Sequence, residues 1–578
     1  MTTNGFLQLA TFFLVLLLLT KPLGIYMAKV FSGEKVFLSR LIYPIENLIY
    51  RICGINKTEE QPWTTYTLAM LLFNFIGAFL LYFLQRLQSY LPLNPQGFNN
   101  VTPDLAFNTA VSFTTNTNWQ AYSGESTMSY LTQMLGLAVQ NFLSAAVGMA
   151  VAIAFIRSIA RRESQTIGNF WVDLTRSIIY VLLPLCLIGS LFLVSQGVVQ
   201  NFNSYSVASR VEPVKLEKVA EDGRKTIETI SEQVIAQGPV ASQEIIKQIG
   251  TNGGGFFNAN SAHPFENPSY FSNFTEIVCI LLIPFALIIT FGFWLKNHKQ
   301  STIILAVLIV VLFFEFITVT SNELNGNPKL NNIINESSPN WAGKETRLGI
   351  VGSGVFEASI SNVSGSANSS LESFHPIAIA LSLFNLSNQA IFGVQGFGLV
   401  FTINAILYTA FFIGLMLGKT PQVFGKKIEK NEIILSSVLI LINPFLVLLG
   451  VALTLNTHPI ESTNFYDHIH YFTRVFYEFA SGAASNGSGL EGLADNTIYW
   501  NLSLAIVMFL ARYGAMATMI ALGASLAKKP IIPETVATFK TDTILFGFIF
   551  LFISISATLL IYLPFIILSP ISEMLIKS

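Results

Sequence analysis

The chain has 578 residues, 52% hydrophobic and 11% charged, and its mean hydropathy is +0.57. A soluble globular chain carries about 25% charged residues, so a soluble fold is excluded and an integral membrane protein is expected. The formal net charge of −1 gives no basis for nucleic-acid binding, and three cysteines (Cys53, Cys186, Cys279) without a Cys-x-x-Cys pair suggest neither a disulfide framework nor a zinc site.

A membrane span needs about 20 apolar residues. The first run, near 5–27, lacks a basic leader and a small-residue cleavage site, and reads as a retained helix rather than a signal peptide. Further spans are expected near 64–85, 127–156, 173–195, 273–295, 301–320, 392–418, 432–455, 498–526 and 542–568. Pro184, Pro284 and Pro444 fall inside spans, where neighbouring helices tolerate a kink. Between the fourth and fifth spans, residues 200–238 alternate polar residues with Val and Ile, which predicts a small external β-rich insert within 196–240.

Basic residues set orientation. They crowd 28–63 (Lys29, Lys35, Arg40, Arg51, Lys57), 157–162 (Arg157, Arg161, Arg162), 296–299 (Lys296, Lys299), 419–430 (Lys419, Lys426, Lys427, Lys430) and 528–540 (Lys528, Lys529, Lys540). These are alternate loops, so they share the cytoplasmic face, and both termini are expected outside.

The remaining four loops share a plan, and each carries a Gly/Asn/Ser/Thr cluster: "SFTTNTNW" (112–119), "GTNGGGFF" (250–257), "SNVSGSANS" (361–369) and "SGAASNGSG" (481–489). Each cluster follows a stretch long enough for a half-spanning helix: "DLAFNTAV", "SQEIIKQI", "GVFEASI" and "RVFYEFA". A single such cluster is equally an ordinary polar turn, but four at matching places on one face predict re-entrant pore loops. The expected fold is an all-α integral membrane protein of about ten transmembrane helices. Its four fused span–pore-loop–span units take a pseudo-fourfold arrangement. The expected divisions are an extra N-terminal helix and linker at 1–63, repeats at 64–162, 163–300, 301–430 and 431–527, and a closing helix at 528–578.

Irregular backbone at membrane depth is tolerated where it lines a water-filled cavity, and rings of carbonyls replace the hydration shell of potassium in filters of this kind. Glycine offers a carbonyl with no side chain in the way. Asp104, Glu125, Glu266, Glu357, Glu372, Glu491 and Asp495 would concentrate cations at the entrance. Phe256 and Phe257 read as packing, and His263 and His375, each beside a proline, as hydrogen-bonding caps of the loops; six scattered histidines show no metal-ligand spacing. Arg512 lies inside an apolar span, where a charge is costly and commonly functional. It is either half of an ion pair, with Glu315 as the candidate partner, or an electrostatic barrier beneath the loops. "GLMLGKT" (414–420) has three residues between Gly414 and Gly418 where a phosphate-binding loop needs four, and no Asp-Lys-Thr-Gly occurs, so this chain is not expected to hydrolyse ATP.

Five stretches, "NTAVSFTTNTNWQAYSGE" (108–125), "VQNFLSAA" (139–146), "GTNGGGFFNANSAHPFENP" (250–268), "GLMLGKTPQVFGKKIE" (414–429) and "NGSGLEGL" (486–493), closely resemble the potassium-binding A-subunit family of the bacterial Kdp potassium-transporting ATPases. The resemblance runs over essentially the whole chain. It implies a channel-like subunit that binds external potassium and delivers it through an intramembrane tunnel to a partner P-type ATPase subunit, which hydrolyses ATP. Small accessory subunits, a bacterial cytoplasmic (inner) membrane location with the filter loops facing outside, and no cofactor are implied with it. By position, the family's filter falls on Asn116, Thr117 and Asn118, on Asn252, Gly253 and Gly254, on Ser364 and Gly365, and on Ser485, Asn486 and Gly487, with potassium held by backbone carbonyls. Arg512 matches the family's intramembrane arginine. Ser364 stands where relatives often have Cys, and Lys419 where some have Arg, which keeps the charge but loses the planar fork. The alternatives are a Trk- or Ktr-like potassium translocator with a cytoplasmic regulatory ring and, from another class, a secondary symporter. Four parallel loops on one face fit poorly with the inverted repeats of the latter.

Overall fold

A computed structural model describes residues 3–219, 225–328, 339–418, 420–533 and 539–575. Helix α1 (Thr3–Ser32) is followed by a short amphipathic helix, α2 (Ser39–Ile52). Four units then repeat one order: long helix, short helix, irregular turn, long helix. The first is α3 (Trp63–Arg86), α4 (Pro103–Thr114) and α5 (Thr132–Ala160). The second is α6 (Phe170–Ser195), a hairpin of β1 (Ser206–Val219) and β2 (Lys225–Ile235), α7 (Val240–Ile249) and α8 (Tyr270–Trp294). The third is α9 (His298–Leu324), α10 (Gly349–Val363), an additional short helix α11 (Pro376–Ser387), and α12 (Phe397–Met416). The fourth is α13 (Lys430–Thr457), α14 (Phe465–Ala484) and α15 (Ile498–Ala527), after which α16 (Ile544–Leu575) closes the chain.

Among the described residues ten helices are long and apolar enough to cross a membrane. In lipid every backbone group needs an internal partner, which only a helix supplies within one segment. Hydroxyls on these spans are hidden the same way, by bonding the carbonyl one turn back: Thr20 to Leu16, Thr67 to Trp63 and Thr454 to Gly450 at 2.7–2.9 Å. Burial sorts the spans into two rings. The second span of each unit is mostly covered (83% for α5, 67% for α8 and α12, 61% for α15), whereas the first spans reach only 22–39% and α16 only 28%. The second spans therefore surround the axis and the first spans face lipid or partner subunits, as a fourfold plan requires.

The N-terminal helix is built into this body. Thr290 Oγ1 donates to Gly24 O at 2.9 Å and Trp294 Nε1 to Ala28 O at 3.1 Å, joining α1 to α8. The predicted insert is the antiparallel β1–β2 hairpin, in register from Ser206–Ile235 to Val219–Lys225 with an irregularity between Ser209 and Val214. At the other end of the spans, Lys426 Nζ donates to the carbonyls of Ser158, Arg161 and Leu526 at 3.1, 2.6 and 2.6 Å, clasping the C-terminal ends of α5 and α15.

Two elements were not foreseen. Helix α2 lies in a segment expected to be a linker; Leu41, Ile45, Leu48 and Ile52 form its exposed stripe, while Glu46 is buried against Arg176 at 2.9 Å. In the third unit the expected span 392–418 begins only at Phe397, and α11 stands apart from it. Gly393, Gly396 and Gly398 break the apolar run, and a window that scores only hydropathy reads across them.

Candidate ion-binding filter

Each short helix ends in a turn of the same build. Asn116, Thr251 and Ser485 take left-handed backbone angles (φ 65°, 53° and 56°). The next residue returns its N–H to the carbonyl five positions back: Thr117 to Ser112, Asn252 to Lys247 and Asn486 to Ser481, at 2.9–3.0 Å. Then comes a second left-handed position, Asn118, Gly253 or Gly487 (φ 54°, 107° and 93°). The third loop is tighter: Ser364 is extended and bonds back to Ile360 O at 3.0 Å, and Gly365 follows.

These turns meet in a closed ring. A Cβ on Gly254 would sit 2.8 Å from Asn118 Cβ, and one on Gly253 would sit 2.5 Å from the Gly365 nitrogen. A Cβ on Gly365 would overlap the Asn486 carbonyl oxygen, and one on Gly487 the Thr117 carbonyl oxygen. Loop one thus touches two, two touches three, three touches four and four touches one, with backbone against backbone. Asn118 stands where the other loops have glycine; Asn is among the non-glycine residues that tolerate this region best.

Within this ring, and among the described residues, the backbone carbonyls of Asn116, Thr117, Asn118, Asn252, Gly253, Gly254, Gly365, Ser485, Asn486 and Gly487 accept no hydrogen bond from the protein. Buried carbonyls are almost always paired. A ring of unpaired ones is chemically suited to replace the water of a monovalent cation. Side-chain amides behind the ring hold it. Asn116 Nδ2 donates to Thr251 O at 3.1 Å, and its Oδ1 accepts from Asn252 Nδ2 at 2.7 Å and Ser144 Oγ at 2.9 Å. Asn486 Nδ2 donates to Ile360 O and Ser364 O at 2.8 and 2.9 Å, closing the seam between loops three and four.

Above the ring opens a cavity of about 1200 Å³ that reaches Asn118, Gly365 and Gly487 and is also lined by Glu478, Glu491 and Asp495. Burial pushes the half-buried Asp495 carboxyl up to about 6. Of the seven acids expected at the entrance, Glu491 and Asp495 line this cavity, and two are drawn well away from it. Glu266 is fully buried on Lys247 Nζ at 2.6 Å, and Glu357 accepts from Ser382 Oγ at 2.7 Å inside the third unit. His263 and His375 do cap backbone: their Nδ1 atoms accept from Phe265 N and Ile377 N, both at 3.1 Å. His263 also stacks on Phe257 with ring centroids 3.7 Å apart.

Beneath the ring, residues 388–396 join α11 to α12, and Gln395 N donates to Thr251 Oγ1 at 2.8 Å. Gly148 of α5 lies against Gln395 O and within reach of the Arg512 guanidinium. Arg512 is 1% exposed, stacks over Phe397 at 3.9 Å, and none of its guanidinium nitrogens has a hydrogen-bond partner among the described residues. Of the two alternatives for Arg512, the ion pair with Glu315 is therefore overturned: Glu315 Oε2 accepts from Asn362 Nδ2 at 2.6 Å, behind the third loop. Lys419 lies outside the described residues. Thr251, Glu478 and Gln395 escaped the sequence reading. Aligning the loops on the second left-handed residue would have picked out Thr251; nothing local marks the other two.

The family model described as "Potassium-transporting ATPase A subunit" (KdpA) matches residues 10–575. The chain belongs to the KdpA family. Relatives named potassium-transporting ATPase potassium-binding subunit include that of Ralstonia pickettii (strain 12J), 45% identical over 594 residues, covering 99% of this chain and 100% of the relative. That of Herpetosiphon aurantiacus is 45% identical over 587 residues and covers 100% of both chains. Among solved structures, the potassium transporter TrkH from Vibrio parahaemolyticus superposes with a TM-score of 0.52 at 12% identity, covering 88% of this chain and 97% of that one. At that identity the likeness is one of fold alone.

Proposed function

We propose that this chain is the potassium-binding, channel-like subunit of an ATP-driven potassium uptake complex. The observation that carries the reading is the closed ring of four loops whose carbonyls accept nothing from the protein. Potassium enters by the acid-lined cavity and exchanges its water for these carbonyls. Residues 388–396 and Arg512 oppose straight passage below the ring, which favours lateral delivery through an intramembrane tunnel to a partner P-type ATPase subunit. That partner hydrolyses ATP, small accessory subunits complete the assembly, and this chain is a non-catalytic member of it. The alternation of basic loops supports an orientation with the filter side outside the bacterial cytoplasmic membrane.

The test is ATP hydrolysis by the assembled complex together with potassium flux through this chain alone in vesicles. Hydrolysis should rise with potassium, and the chain alone should give no uptake. Uptake without the ATPase partner would instead favour a Trk-like translocator. Orientation has its own check. Cys53 is the exposed cysteine, at the end of α2. A membrane-impermeant thiol reagent should reach it in broken cells but not in intact spheroplasts; labelling from outside would reverse the assignment.

A further inference from the structure

Two of the four seams in the ring, between loops one and two and between three and four, are closed by the Asn116 and Asn486 amides. The other two are closed by buried acids. Between loops four and one, Trp119, the residue directly after Asn118, donates its indole Nε1–H to Glu478 Oε2 at 2.7 Å, while its carbonyl accepts from Ser112 Oγ at 2.9 Å. Between loops two and three the corresponding residue is Ser366, directly after Gly365. Its hydroxyl meets Gln248 Nε2 at 2.8 Å and Ser261 Oγ at 2.9 Å. Both of those partners also donate to Glu244 Oε1, at 2.7 and 3.0 Å. Lys247 Nζ holds Glu244 at 2.7 Å and Glu266 at 2.6 Å, and Glu266 takes the Phe257 N–H at 2.7 Å, tying down the chain after the glycines.

Glu244 precedes Gly253, and Glu478 precedes Gly487, by the same interval in their helices. Every side chain in the two networks is at most 2% exposed. Burying carboxyls is expensive, and apolar groups of like volume commonly pack such a space at less cost. Glu478 touches the residue that follows a filter position directly, and Glu244 reaches its counterpart, Ser366, through Gln248 and Ser261. Their effect falls on the spacing of carbonyls across the seam, which together with carbonyl field strength decides among monovalent cations.

We propose that Glu478 and Glu244 are positioning residues: acting through Trp119 and Ser366, they set the filter's carbonyl spacing and so its discrimination of potassium from rubidium and sodium. The proposal rests on the potassium-filter reading above. Glu357 supplies a comparison, because it stands at a similar place on α10 but accepts from Ser382 within its own unit and spans no seam.

The experiment is potassium- and rubidium-stimulated ATP hydrolysis by the assembled complex, as separate KM and kcat values. Trp119→Phe keeps the aromatic packing and loses the donor; Ser366→Ala removes the hydroxyl that accepts from the Gln248 amide at the other seam. Each should raise the potassium KM about tenfold and narrow discrimination against rubidium, with kcat changed by less than about twofold. Glu478→Gln, which keeps an acceptor oxygen, should retain most of the affinity, and Glu357→Gln should leave discrimination unchanged. If Trp119→Phe fails to assemble, Ser366→Ala decides. Unchanged KM and discrimination in a potassium-responsive complex, or an equal shift in Glu357→Gln, overturns the proposal. A wild-type complex that ignores potassium overturns the filter reading itself.

Discussion

Gly487→Ala is expected to raise the potassium KM of the assembled complex by about a hundredfold or more, the size of effect that an ångström of misplacement produces. Gly487 has φ 93°, and any Cβ there overlaps the Thr117 carbonyl oxygen. The substituted loop must back away from loop one, opening the ring at the seam between the fourth and first loops. Backbone strain alone gives a smaller penalty, about 1–2 kcal/mol for a side chain forced into the left-handed region. Gly197 separates the two causes, because it has φ 98° with nothing near its missing Cβ. Gly197→Ala should lower the melting temperature slightly and leave the potassium KM alone. Matching losses in both variants would show that Gly487 acts through strain and not through the ring.

Arg512→Met is expected to stabilise the complex while uncoupling it. A buried charge without a carboxylate carries a penalty of several kcal/mol, and stacking on Phe397 at 3.9 Å returns only about 2 kcal/mol. Removing the guanidinium should therefore raise stability by about 1–3 kcal/mol, read as a higher melting temperature in detergent. With the positive charge gone from beneath the ring, potassium should leak from loaded vesicles without ATP, and transport per ATP should fall about tenfold, the scale of about 1.4 kcal/mol lost from the barrier. Arg512→Lys keeps the charge and should stay tight. A destabilised Met variant in tight vesicles would mean that Arg512 is a packing residue. Such an exchange of stability for function is common where a site needs a costly group.

Much of this is legible in the sequence. Long apolar runs give spans because lipid leaves no other way to satisfy a backbone, so the ten helices fall close to their expected places. Polar and Val/Ile alternation marked the β1–β2 hairpin, and clusters of small polar residues after half-span stretches marked the loops. Where hydropathy averaged over glycines, it failed: residues 392–396 of the connection were read as the start of a span, and α11 was not foreseen. Charge alone also misled, since Glu266 and Glu357 are buried and not at the entrance.

The sequence by itself determined the class, the spans, the four-loop plan and the residue types at the turns, because each rests on local composition and period. The tertiary structure alone decided which groups meet. Trp119 and Glu478 are 359 positions apart, Asn116 and Asn252 are 136, and no local pattern couples them. It also decided that Arg512 has an aromatic face and not a carboxylate for a neighbour. Ring closure is a property of four turns packed backbone to backbone, so it exists only once distant spans have assembled around one axis.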